Sequence, residues 1–188
     1  GSLGIVEFET SCSDAVSDDF NRGVALLHHM MYKQAEQVFI EIIEKDPNCA
    51  MAYWGFAMTQ MHPLWAPPSK EELAKGLFAV KTAESKSPPT EREQAYITAI
   101  NGFYDGFKTK DHSTRIAIWS EGQKKVMESN PEDEDAVAFY ALSNLATAPK
   151  ADKTFSHQKE SGAMLEELFV TVPEHPGVFH YTIHAYDN

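Results

Sequence analysis

The sequence predicts an all-α protein built as a solenoid of about four to five helix-turn-helix units. Four prolines recur every 42 residues, and a fixed period within about 20–50 residues indicates a repeat architecture. Apolar residues before most of these prolines recur at i, i+3, i+4 and i+7, which places one apolar stripe on a helix. No segment shows the apolar–polar alternation of a strand together with hairpin turns. The four prolines are Pro47, Pro89, Pro131 and Pro173.

The helices that precede the prolines differ in the clarity of their apolar stripe. The stripe is clearest before Pro47 and recurs before Pro131 and Pro173, whereas polar residues such as Lys81 and Glu84 interrupt it before Pro89. A stripe of this kind predicts that one side of each helix packs on a core. The supporting positions are Ala35, Val38, Phe39, Ile42, Ile43, Leu77, Val80, Trp119, Val126, Met127, Met164, Leu165, Leu168 and Phe169.

A second helix is predicted shortly after each proline, since proline is favoured at the start of a helix. These helices combine aromatic and small residues, so neighbouring helices can approach closely while rings fill the gaps. Glycines such as Gly55 and Gly76 fall inside helices, where close packing explains them better than phosphate binding. We predict nine helices, at 14–30, 32–45, 49–62, 70–86, 90–106, 112–129, 133–147, 152–171 and 175–188.

Length and composition narrow the class of protein. With 188 residues and 43% hydrophobic content, the chain is expected to form one domain, residues 1–188. No apolar run reaches the ~18 residues of a membrane span. The net charge of −12 argues against nucleic acid as a partner, because such binding depends on neutralising phosphates. The acidic run at 132–135 is expected to be solvated at a helix N-terminus.

The two cysteines, Cys12 and Cys49, each precede a helix that opens a hairpin. In a stack of hairpins such helix starts are neighbours, so a disulfide can form if the protein is exported. The open alternative is a pair of free thiols.

Several residues together resemble the tetratricopeptide (TPR) repeat family. Gly23, Ala35, Phe39 and Pro47 have the spacing of the family's unit of about 34 residues, here lengthened to about 42. Further segments resemble the N-terminal part of longer bacterial, often exported, TPR-repeat proteins of unassigned biochemistry. These segments are 11–13, 46–55, 62–65 and 175–187. The resemblance implies a piece of a longer protein that acts as a binding scaffold, and it favours export over a cytoplasmic location.

The resemblance also implies where a partner binds. In TPR proteins the first helix of each hairpin lines a concave groove that holds a peptide or protein segment. The leading hypothesis is therefore a non-catalytic scaffold, with a protein or peptide as partner and no cofactor. Trp65 lies in a proline-rich segment and either covers this groove or fills the core. The candidate groove residues are Tyr53, Trp54, Met58, His62, Trp65, Tyr96, His180 and His184.

The alternative hypothesis is a metal-binding or metal-dependent protein. His180 and His184 are four residues apart, which places two imidazoles on one helix face, and Asp187 follows one turn later. We expect a zinc-like divalent metal there, completed by residues beyond Asn188. The open alternative is that both histidines hydrogen-bond to neighbouring helices. A third hypothesis is that the chain only packs against further repeats of its own protein.

Two expectations concern other parts of the surface. His28 and His62 occupy the same position in adjacent units, so they either face each other or hydrogen-bond locally at their helix ends. The last predicted helix carries Tyr181, Ile183 and Tyr186, which are not the residues of a polar cap. We therefore expect an exposed apolar edge that further sequence or another chain covers.

Overall fold

The computed structural model describes residues 2–187 and confirms the all-α class. Within this range regular structure consists of nine α-helices and two short 3-10 turns, Asp14–Val16 and Phe107–Thr109. The last predicted helix extends to Asn188, which lies outside the described residues. The helices are α1 (Ser17–His28), α2 (Tyr32–Lys45), α3 (Ala50–Met61), α4 (Lys70–Ser85), α5 (Glu91–Tyr104), α6 (His112–Ser129), α7 (Glu134–Ala146), α8 (Ser156–Thr171) and α9 (Pro176–Tyr186).

Side chains at the helix starts explain most of these boundaries. The Asp111 carboxylate accepts a hydrogen bond from the backbone N–H of Thr114 and thereby begins α6. Ser69 and Glu72 form a reciprocal capping box at the start of α4. The largest difference from prediction is the start of α8, which begins at Ser156 rather than residue 152. There Asp152 accepts hydrogen bonds from the following residues and holds a turn.

The helices form two layers. Each helix packs against its neighbours in the chain, and short connections such as residues 29–31 make these neighbours antiparallel. The odd-numbered helices also contact one another, α1 with α3 and α3 with α5, and likewise α7 with α9. They form an inner layer whose centre is filled by Trp54, Tyr96 and Phe139, all fully buried. The even-numbered helices lie outside this layer.

The inner layer closes on itself. Helix α9 packs against α1 as well as α7, and the Phe139 ring of α7 stacks on the His28 ring of α1 with centroids 4.4 Å apart. In an extended solenoid the first and ninth helices would be far apart. Closure fills the space that an open concave groove would occupy.

Glycines allow the closest approaches between the layers. A Cβ atom on Gly55 would lie 2.3 Å from the Phe39 ring, and one on Gly76 would lie 2.1 Å from the Tyr104 ring. The close packing predicted for both glycines is confirmed.

None of the helices within residues 2–187 is both long and apolar enough to cross a membrane.

Candidate functional site

A buried cluster of three side chains joins α1, α7 and α9 near the centre of the inner layer. His28 is the last residue of α1, Asp135 lies in the first turn of α7, and His175 caps the N-terminus of α9. The Asp135 Oδ1 atom accepts hydrogen bonds from His28 Nε2 at 2.9 Å and from His175 Nε2 at 2.8 Å. All three side chains are buried. We refer to them as the His–Asp–His cluster.

The remaining ring nitrogens define the tautomers of the cluster. The Gly177 backbone N–H donates to His175 Nδ1 at 3.1 Å, so that nitrogen carries no proton and Nε2 does. The Tyr181 hydroxyl lies 2.9 Å from His28 Nδ1 and donates to it, while His28 Nε2 donates to the carboxylate. Each ring nitrogen thus has one partner, and both imidazoles are neutral.

The electrostatics agree with this assignment. Burial lowers the pKa of His28 to about 4, although the hydrogen bond to Asp135 opposes the change. Burial alone would raise the pKa of Asp135, but the hydrogen bonds from His175 and His28 outweigh it and hold that pKa below its usual value. At neutral pH the Asp135 carboxylate is therefore ionised and the His28 imidazole is uncharged.

The same three residues have the composition of a metal site, because their ligand atoms lie within 4.8 Å of one another. A metal at His175 Nε2 would require the proton to move to Nδ1. That proton would then point at the Gly177 N–H, which already donates to Nδ1. The donor pattern therefore fits a hydrogen-bonded tie between helices rather than a cation site.

This cluster corrects three expectations from the sequence. Asp135 belongs to the acidic run that was expected to be solvated, yet it is buried. His28 and His62 do not face each other: His62 bonds to Glu72 at 2.8 Å, while His28 reaches α7 and α9. Both histidines therefore bond to side chains of other helices rather than to their own helix ends. No sequence signal connects His28 to Asp135, which lies 107 residues away.

The N-terminal segment, residues 3–12, covers the N-terminal ends of the inner helices. Its Phe8 ring lies between Trp54 of α3 and Tyr96 of α5, with centroids 5.4 Å and 5.1 Å away. It also contacts Phe20 of α1 at 5.4 Å, and the Arg92 guanidinium lies 4.2 Å from its centre. The Phe8 side chain therefore closes this end of the inner layer.

Polar contacts hold the N-terminal segment along its length. The Phe8 backbone N–H donates to Asn21 Oδ1 at 2.8 Å. Ser11 donates from its backbone and its hydroxyl to Glu93 Oε2, at 3.1 Å and 2.9 Å. At the far end the Ile5 N–H donates to the Glu174 carbonyl at 3.0 Å. The segment ends at Cys12, which is joined to Cys49 by a disulfide bond.

The predicted groove residues do not share an open surface. Trp54, Met58 and Tyr96 are buried in the core, because the inner helices and Phe8 pack on them. Tyr53 is half-buried and donates to the Pro47 carbonyl at 3.4 Å. These placements correct the expectation that Trp54, Met58 and Tyr96 contact a partner.

Trp65 lies at the surface rather than in the core. Its side chain remains 48% exposed and packs edge-on against the Tyr32 ring, with centroids 4.9 Å apart. The neighbouring His62 ring is buried below it, 5.6 Å away. Trp65 thus covers the end of α3 and does not fill the core.

His180 and His184 form a second histidine pair, on α9. Their rings are stacked with centroids 5.0 Å apart, and their Nε2 atoms are 3.1 Å apart. Both side chains are half-buried. Within residues 2–187 no third imidazole, thiol or carboxylate has a ligand atom within 4.8 Å of both, so Asp187 does not join them.

An apolar patch is exposed where α8 and α9 meet, and we call it the α8–α9 face. Its exposed members are Phe169 (51%), Phe179 (65%) and Ile183 (52%). Together with Val178 and Thr182 they line a shallow depression of about 250 Å³. Patches of contiguous exposed apolar residues commonly mark interaction surfaces. The expected exposed apolar edge is therefore present, although Tyr181 itself is buried and bonded to His28.

No protein-family model, curated protein or solved structure matches this chain. The class of protein is therefore defined by the geometry alone. It is an all-helical protein of sequence-adjacent helix pairs, closed around a buried His–Asp–His cluster, with one apolar face exposed at α8 and α9.

Proposed function

We propose that the protein is a non-catalytic, TPR-like repeat scaffold that binds an amphipathic helix of a protein partner on its α8–α9 face. The observation that carries this proposal is the contiguous exposure of Phe169, Phe179 and Ile183 at the seam of two helices. Burying these side chains would contribute about 1.5–3 kcal/mol for each one removed fully from water.

The shape of the face favours a helix as the bound segment. Phe179 and Ile183 lie one turn apart on α9, and Phe169 faces them from α8. A seam of this kind between two helices accepts the i, i+3, i+4 side chains of a third helix.

The charge around the face suggests the composition of that helix. Glu166 lines the depression, and the whole chain carries a net charge of −12. A partner helix with leucine-like residues on one side and lysine or arginine at its flanks would match the face. Such flanking charges act mainly on the association rate and on specificity.

The placement of the other candidates supports a non-catalytic role. The side chains of the His–Asp–His cluster are enclosed and already paired with one another. The inner helices use Trp54 and Tyr96 for packing, so the proposed partner surface moves from the expected groove to the α8–α9 face.

Selection from a displayed library of helical peptides tests this function. We expect the wild-type protein to enrich peptides with one apolar face and flanking basic residues. The double variant Phe179→Ser/Ile183→Ser should bind the selected peptides at least ~tenfold more weakly, since the two lost side chains together remove more than about 1.4 kcal/mol. Phe78→Ser is the matched control, because Phe78 is 74% exposed on α4, away from the face.

Two results would overturn the proposal. The first is selection of peptides that bind the double variant as tightly as wild type. The second is a wild-type dimer in light scattering that the double variant abolishes, because a second copy of the chain would then be the occupant of the face.

A further inference from the structure

The His180 and His184 side chains differ from the histidines of the buried cluster in the partners of their ring nitrogens. Their Nε2 atoms lie 3.1 Å apart at the half-buried surface of α9, where one ring donates a hydrogen bond to the other that a bound metal would replace. Metal–nitrogen bonds of about 2.0–2.1 Å would give this separation at a ligand–metal–ligand angle of about 100°. The distance between the two Nε2 atoms therefore lies between those expected for tetrahedral and for square-planar coordination.

The second ring nitrogens are also suited to metal binding. A neutral imidazole that binds metal through Nε2 must carry its proton on Nδ1. Among residues 2–187 neither His180 nor His184 has a hydrogen bond at Nδ1, so each can hold that proton. In the buried cluster, by contrast, His175 Nδ1 accepts a hydrogen bond from Gly177.

We infer that His180 and His184 form a binding site for a transition-metal cation, with water in the remaining coordination positions. Imidazole nitrogen suits Zn²⁺, Cu²⁺ and Ni²⁺, whereas Mg²⁺ and Ca²⁺ prefer oxygen ligands. The site requires no residue of the α8–α9 face and does not depend on its function.

Titration of tag-free protein with CuCl₂ and ZnCl₂ tests the inference. Calorimetry should show one ion per chain, with Cu²⁺ bound more tightly than Zn²⁺, as the general order of affinities requires. His184→Gln and His180→Gln should each weaken binding about tenfold or more. Loss of a partner outside the coordination sphere already costs about 10–100-fold, and loss of a ligand should cost at least as much. Electron paramagnetic resonance of bound Cu²⁺ should show coupling to imidazole nitrogen in wild type only.

The control variant is His157→Gln, which changes a half-buried histidine on the neighbouring helix. It should bind both ions as the wild type does. Unchanged binding by both His180→Gln and His184→Gln would overturn the inference. Loss of binding in His175→Gln alone would also overturn it, because the ion would then lie in the buried cluster. A third contrary result would be the absence of Cu²⁺ binding to the wild type at millimolar concentration.

Discussion

Acid should destabilise this protein through His28, and the structure determines the size and the pH range of the effect. The His28 ring is buried and neutral in the folded state, where its pKa is about 4, compared with 6.5 in an unfolded chain. Below pH 6.5 the unfolded chain therefore binds a proton that the folded protein does not. Stability from this residue is complete above pH 6.5 and is lost as the pH falls towards 4.

The magnitude follows from the difference between the two pKa values. Each unit of pKa difference corresponds to about 1.4 kcal/mol, so the contribution of His28 is about 3 kcal/mol. A domain of this size is typically stable by about 5–15 kcal/mol, and the loss is therefore large enough to measure. Asp135 acts at lower pH, because the stability from its lowered pKa is lost only below about pH 3.9.

The assay is urea unfolding followed by circular dichroism between pH 7.5 and pH 4, on wild type and His28→Gln. At pH 7.5 the variant should be clearly less stable, since it loses the bonds to Asp135 and Tyr181. The free-energy gap between the two proteins should shrink by about 3 kcal/mol at pH 4. His62→Gln is the control, because His62 also bonds a carboxylate, Glu72, but one whose side chain is 31% exposed. A gap for His28→Gln that stays constant across this pH range would refute the assignment of a neutral, buried imidazole.

Two further predictions concern the N-terminal segment. Phe8→Ala should reduce the free energy of unfolding by about 3–5 kcal/mol, because the ring is buried between Trp54 and Tyr96. Hydrogen exchange of the backbone of residues 3–11 should accelerate in the same variant, and slow exchange there would contradict the described packing. Cys12→Ser should cost about 4 kcal/mol, as expected for opening a cross-link between residues 37 apart, and urea unfolding of reduced wild type should give a similar loss. Equal stability of the oxidised wild type and the variant would show that the disulfide contributes nothing to folding.

The helices were predictable because their signals are local. Apolar spacing such as Ala35, Val38, Phe39 and Ile42 predicts a helix without any knowledge of its partner, and α2 has the predicted bounds. Glycine at position 55 likewise predicts close packing, although the sequence does not show that Phe39 is the neighbour.

The candidate sites were predictable only in part. The pairing of His180 with His184 follows from their spacing on one helix, and the structure brings them together. The assignment of Trp54 and Tyr96 to an open groove fails, because their exposure depends on the N-terminal segment and on helices distant in sequence. The alternation of Val6, Glu7, Phe8 and Glu9 indicates an extended segment with Phe8 on its buried side, but it does not show that Trp54 and Tyr96 are the neighbours of Phe8.

The sequence by itself determined that this protein is a series of paired helices, with prolines spaced 42 residues apart, and it placed two histidines on one face of the last helix. Only the tertiary structure decided that α1 meets α9, that Asp135 binds two histidines and that Phe8 closes the inner layer. The physical reason is the range of the interactions. Helix formation depends on residues three and four positions apart, whereas burial of a carboxylate or a ring depends on elements that meet only after folding.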